Sequence, residues 1–137
     1  MRDVLLYAHI LIGVALIILS ILILFQLKQK SSPLKVYSAL TSLLSWFLLL
    51  PSGNLYLTFY PATKTLIKAG SWPWAHYVIM ETKEHWGLLI PIIATMATWL
   101  VFTGKREENR KWWILLLILT VLMGVLGRIV TVGGMAQ

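Results

Sequence analysis

The chain has 137 residues, enough for one compact domain, and 58% are apolar against 12% charged, with a mean hydropathy of +0.79. Soluble domains carry about 25% charged residues, so an ordinary cytosolic enzyme, a disordered chain and a collagen-like chain are all excluded, leaving an all-α integral membrane protein. The net charge of +7 is scattered at the ends of apolar segments, which argues against nucleic acid, and the lack of cysteine excludes disulfides, thiolate metal sites and thiol nucleophiles.

Four transmembrane helices are predicted in one domain spanning 1–137. The first covers 4–27, longer than the roughly 7–15 apolar residues of a signal peptide, with no small-residue cleavage site after it, so it reads as an uncleaved helix. It carries His9, with Gly13 one turn away on the same face. The second covers 36–60 and is expected to break at Pro51-Ser52-Gly53-Asn54. An extracytoplasmic connection, 61–82, follows, in which Ser71 is predicted to cap a helix beginning at Trp72-Pro73.

That helix is expected to run into the third span, 83–103, which Pro91 should kink. Tyr77, Glu81 and His85 recur every four residues and share a face, whereas Lys83 and Glu84 read as solvated surface. His76 precedes His85 by nine residues, half a turn out of phase on a continuous helix, and reads as exposed or packed among aromatics. The fourth span, 112–132, holds a small, weakly polar stripe of Thr120, Gly124, Gly127, Arg128, Thr131 and Gly134, a pattern of close helix packing. Trp72, Trp74 and Tyr77 are expected at the outer interface, and Trp99, Trp112 and Trp113 at the inner one.

Orientation follows from the basic residues. Loops 28–35 and 104–111 contain Lys28, Lys30, Lys35, Lys105, Arg106, Arg110 and Lys111, against Arg2, Lys64, Lys68 and Lys83 on the opposite side. Both loops are therefore placed in the cytoplasm of a prokaryotic cell, and both termini outside it.

At 1.5 Å per residue, His9 and His85 each lie about 27 Å from the cytoplasmic end of their spans, Arg128 about 24 Å, and the Pro51–Asn54 break about 27 Å. Two imidazoles, a guanidinium and a helix break thus share one layer in the outer third. No phosphate loop, His-Glu-x-x-His pair or Ser/His/Asp set is present, so an electron carrier or oxidoreductase subunit is a better expectation than a hydrolase or transferase. The layer matches the needs of haem b. His9 and His85 would be the axial ligands, Gly13 and Gly87 would let the ring approach, and Arg128 would neutralise propionates.

Other chemistries use the same residues. His9, His85 and Glu81 suit copper or zinc, and His76, which cannot reach the same centre from a continuous helix, belongs to a second site in the minority reading. A cofactor-free accessory subunit would use glycines and histidines only for packing, and a small transporter would line a cavity with the broken second helix, where Tyr56 and Tyr60 mark an entrance.

Tyr7-Ala8-His9 with Gly13, and Glu84-His85-Trp86-Gly87 opening the third span, resemble the small four-helix membrane cytochromes b. The resemblance covers the whole chain in architecture and these residues in motif. It implies haem-based electron transfer, to or from a quinol; the glycine-lined face and the small number of spans separately suit a homodimer or one subunit of a larger respiratory complex. With three histidines in all, and none on the second or fourth span, ligands for a second haem are missing unless Met123 or His76 serves.

Overall fold

A computed structural model describes residues 1–29 and 33–136, and among them the chain is helical with no strand. Lys30, counted above with the cytoplasmic basic residues, lies outside the described residues, as does the side chain of Arg106. Four rods are long and apolar enough to cross a membrane: Arg2–Lys28, Leu34–Ala69, Ala75–Phe102 and Glu108–Gly133. The first is helix α1 (Arg2–Gln29). The second joins α2 (Leu34–Phe47), α3 (Leu49–Asn54), a π-helical segment (Leu55–Phe59) and α4 (Tyr60–Ala69). The third joins a π-helical segment (Ala75–Met80), α5 (Glu81–Gly87) and α6 (Leu89–Phe102), and the fourth is α7 (Arg106–Gly133).

Each rod packs on its sequence neighbours, and α7 returns to α1, giving an up-and-down four-helix bundle. Both termini and the 70–74 turn lie at one end, here called the terminal end; the two shorter connections form the loop end.

Proline explains where the rods are interrupted. Pro51 has no N–H for the carbonyl of Phe47, and α2 stops at Phe47; Pro91 has none for Gly87, and α5 stops at Gly87. One residue later each helix resumes in right-handed conformation. The expected break at Pro51-Ser52-Gly53-Asn54 is therefore a correction: these four residues are helical, and the irregularity falls one turn earlier, at Leu48. Pro61 similarly cannot donate to Leu57, which lies in the π-helical segment where the Tyr60 N–H bonds back five residues to Leu55.

The predicted connection 61–82 is also shorter than expected. The second rod continues to Ala69 and the third begins at Ala75, so only a tight turn separates them. Ser71 caps no helix; its hydroxyl donates to the Ala136 carbonyl at 3.4 Å and its N–H donates there too, pinning the C-terminal tail to the turn.

The loop half is closed by apolar side chains, with Leu16, Ile23, Ala94, Ala97, Trp113 and Leu116 all buried in one cluster. Trp113 is 0% exposed, so it belongs to the core rather than to an interfacial belt; Trp99 lies exposed. Small residues let α2 and α6 approach, and Thr98 donates to the Ser38 carbonyl while Ser42 and Trp46 both bond to Thr95. Gly104, at φ +79°, makes the loop-end turn before α7. At the terminal end Gly133 is held to glycine by proximity, since a Cβ there would come within 2.7 Å of the Ala75 Cβ.

Candidate functional site

The terminal end carries a polar network between the second and third rods. Tyr56 and Tyr60, one turn apart, stack with centroids 5.5 Å apart. The Tyr56 hydroxyl donates to Glu84 Oε2 at 2.6 Å. Tyr60 Oη lies 2.9 Å from His76 Nδ1, and His76 Nε2 lies 3.8 Å from Glu81 Oε1. A carboxylate only accepts, so the consistent arrangement has His76 Nε2–H directed at Glu81 and the Tyr60 O–H donated to Nδ1.

The π-helical register explains how this forms. On an α-helix His76 and Glu81, five residues apart, would be about 140° out of phase. Bonding from i to i+5 over Ala75–Met80 brings residues five apart over one another instead. His76 is 3% exposed, and its ring lies 5.9 Å from that of Tyr60 and 5.1 Å from that of Tyr77. The aromatic packing expected of His76 is present, while exposure is not. The expected fourfold alignment of Tyr77, Glu81 and His85 is broken by the same register change: Tyr77 and His85 are exposed and Glu81 is half-buried.

Deeper along the bundle, His9 of α1 meets Ser52 of α3, with Nδ1 2.8 Å from Oγ. The single Ser52 proton goes to the Leu48 carbonyl at 2.6 Å, so His9 Nδ1–H is the donor and Nε2 keeps its lone pair. Lys83 is not a solvated surface residue. Its stem lies along Gly127, whose Cβ, if present, would be 3.2 Å from Lys83 Cε, and the ammonium is within electrostatic reach of His9. Glu84 is exposed but engaged by Tyr56.

The other predicted site residues are placed separately. His85 is exposed, and its Nδ1–H donates to the Glu81 carbonyl of its own helix at 2.7 Å. Residues two apart on a helix point about 200° apart, so with Lys83 turned inward His85 turns outward. No described contact joins His9 to His85. A Cβ at Gly13 or at Gly87 would meet nothing within 4 Å, so neither glycine forms a close contact within the bundle. Arg128 is exposed and forms no ion pair among the described residues. Of the fourth-span stripe, Gly127 faces Lys83 and Gly134 faces Thr63, whereas Gly124 faces open space.

Among the described residues no group of three or more His, Asp or Glu is arranged to hold a metal ion. A bis-imidazole haem asks for two rings turned to one centre, and these residues fit half of that: His9 offers a free Nε2 beside the interior, while His85 offers its own toward the outside of the bundle. Comparison of the chain with protein families, with characterised proteins and with solved structures finds no match.

The members that sequence reasoning missed are Ser52, Lys83 and Glu84, together with the central position of His76. Tyr56 and Tyr60 were visible as a pair at helical spacing. The signal for His76, Lys83 and Glu84 was the proline pair, Pro61 and Pro73, which flanks the turn and accompanies both π-helical segments, and the signal for Ser52 was Pro51 beside it.

Proposed function

We propose that the chain is an integral membrane protein with its loop end in the cytoplasm, and that the terminal-end network is a hydrogen-bonding and proton-accepting site for a quinol-class molecule reaching it from the outer leaflet. The basic residues of the two shorter loops support the orientation. Ionisable side chains within membrane helices mark ligand or proton paths, and π-helical turns recur at functional sites.

One observation carries the reading: the network Glu84–Tyr56, Tyr60–His76–Glu81 at the terminal end contains ionisable groups, whereas the side-chain hydrogen bonds described in the loop half, such as those of Ser42 and Trp46 with Thr95 and of Thr98 with the Ser38 carbonyl, join neutral groups. Of the buried hydroxyls of that half, those of Ser38, Thr41, Ser45 and Thr120 are directed at carbonyls of their own helices, and that of Ser20 has no partner among the described residues. Such a half-path favours exchange of protons with the outer side over transport through the bundle. A quinol gives up two protons and two electrons; imidazole and carboxylate accept the former, and a redox partner in a larger assembly takes the latter.

The test is equilibrium titration of the purified protein with a short-chain quinol, followed by tryptophan fluorescence. His76→Gln and Glu84→Gln should each weaken binding about tenfold, the effect of losing roughly 1.4 kcal/mol of polar contact. Native affinity in both variants, or no saturable binding to the native protein, would contradict the reading.

A second reading keeps haem b, because the Nδ1–H groups of His9 and His85 are both engaged and leave Nε2 as the ligand nitrogen; it requires the outward-turned His85 ring to swing toward the bundle so that both rings meet one iron. An absorption spectrum decides it. A reduced low-spin haem band that disappears in both His9→Ala and His85→Ala supports the pair; a band that survives either change removes it.

A further inference from the structure

A groove of about 220 Å³ runs between α1 and α7 at the loop end, and the two walls match. On α1 the lining residues Ile21, Phe25 and Lys28 are spaced i, i+4, i+7; on α7 Arg110, Ile114 and Leu117 repeat that spacing in the opposite direction. Because the helices are antiparallel, both cations fall at the same end of the groove. Each wall then extends about 10 Å from its cation toward the bilayer centre. The trough is apolar along its length and doubly positive at its mouth.

We propose that this groove holds an anionic phospholipid, with an acyl chain along Ile21, Phe25, Ile114 and Leu117 and the phosphate between Lys28 and Arg110. The inference rests on the membrane reading but not on the quinol site. Charge complementarity selects the occupant. A neighbouring apolar helix would leave both cations at its edge without a counter-charge, whereas a lipid phosphate sits at the depth where the two side chains end. The apolar groove of about 450 Å³ beside α2 and α6 differs, since its cation, Lys35, lies over the Phe102 ring at 5.5 Å from the centroid.

Delipidated full-length protein in neutral detergent is titrated with phosphatidylglycerol or with phosphatidylcholine of the same chains, and bound lipids are counted by native mass spectrometry. The first phosphatidylglycerol should bind about 10- to 30-fold tighter, as two interfacial cations provide. Lys28→Gln combined with Arg110→Gln should bring the two lipids to parity, while Lys64→Gln with Lys68→Gln at the opposite end should leave the preference intact. Melting of each variant within a few degrees of native excludes unfolding as the cause. Equal binding of the two lipids by the native protein overturns the proposal, as does a preference that survives loss of both cations. A lipid-free dimer whose copies crosslink through Phe25→Cys and Ile114→Cys would assign the groove to a second copy and overturn it as well. Carbonate-resistant membrane association, measured separately, distinguishes failure of this site from failure of the membrane reading.

Discussion

In the loop half, α-helical stretches of α1, α6 and α7 close Ile23, Ala97, Trp113 and Leu116 on one another. In the terminal half, two π-helical segments turn phenols, an imidazole and carboxylates toward a common interface. The contrast is one of register. An unbroken 3.6-residue period keeps an apolar stripe facing the core, whereas a local i to i+5 ladder re-aims the residues that follow it. The same chain therefore buries only neutral groups where the helices are regular and assembles an imidazole and carboxylates where they are not.

Substitutions that attack either side of this contrast are ranked by melting in detergent. Trp113→Ala opens the loop-half core and should cost about 3–5 kcal/mol, the range for a large buried aromatic. Gly133→Leu drives a side chain into Ala75 and should cost about 1–3 kcal/mol, separating the fourth rod from the π-helical segment. A neutral result there would mean that the close approach contributes nothing to the terminal half. Tyr60→Phe leaves the buried His76 Nδ1 without its donor and should cost about 1–2 kcal/mol. Ser52→Ala removes the bond to His9 and should cost only about 0.6 kcal/mol, the average for side-chain hydrogen bonds between membrane helices. A loss above that of Tyr60→Phe would move the centre of the network from the second and third rods to α1.

The four rods were legible in the sequence because they rest on apolar length, which needs no knowledge of phase. Depth was less so. Counting 1.5 Å per residue places His9 and His85 in one layer, but depth does not fix direction, and the inward turn of Lys83 sends His85 outward. The importance of His76 was hidden because an α-helical phase argument sets it apart from Glu81, and only the π-helical register joins them. Pro51-Ser52-Gly53-Asn54 misled for another reason. Proline disturbs the helix before it, through the carbonyl it cannot satisfy, and Ser52 is then carried on a regular turn toward His9. Trp113 resembled its interfacial neighbour Trp112 in sequence; helical phase separates a 0% exposed residue from a half-buried one.

The most direct measurement removes the register change itself. Deleting Ala75, which lies outside the His76–Glu81 interval, should restore an α-helical ladder with the two residues still five apart and about 140° out of phase, swing His76 away from Glu81 and weaken short-chain quinol binding by at least about tenfold, roughly 1.4 kcal/mol, with the Trp113 core still folded. Undiminished binding by the folded deletion variant would contradict the account, because the ligand would then not depend on the contacts that the irregular turn assembles.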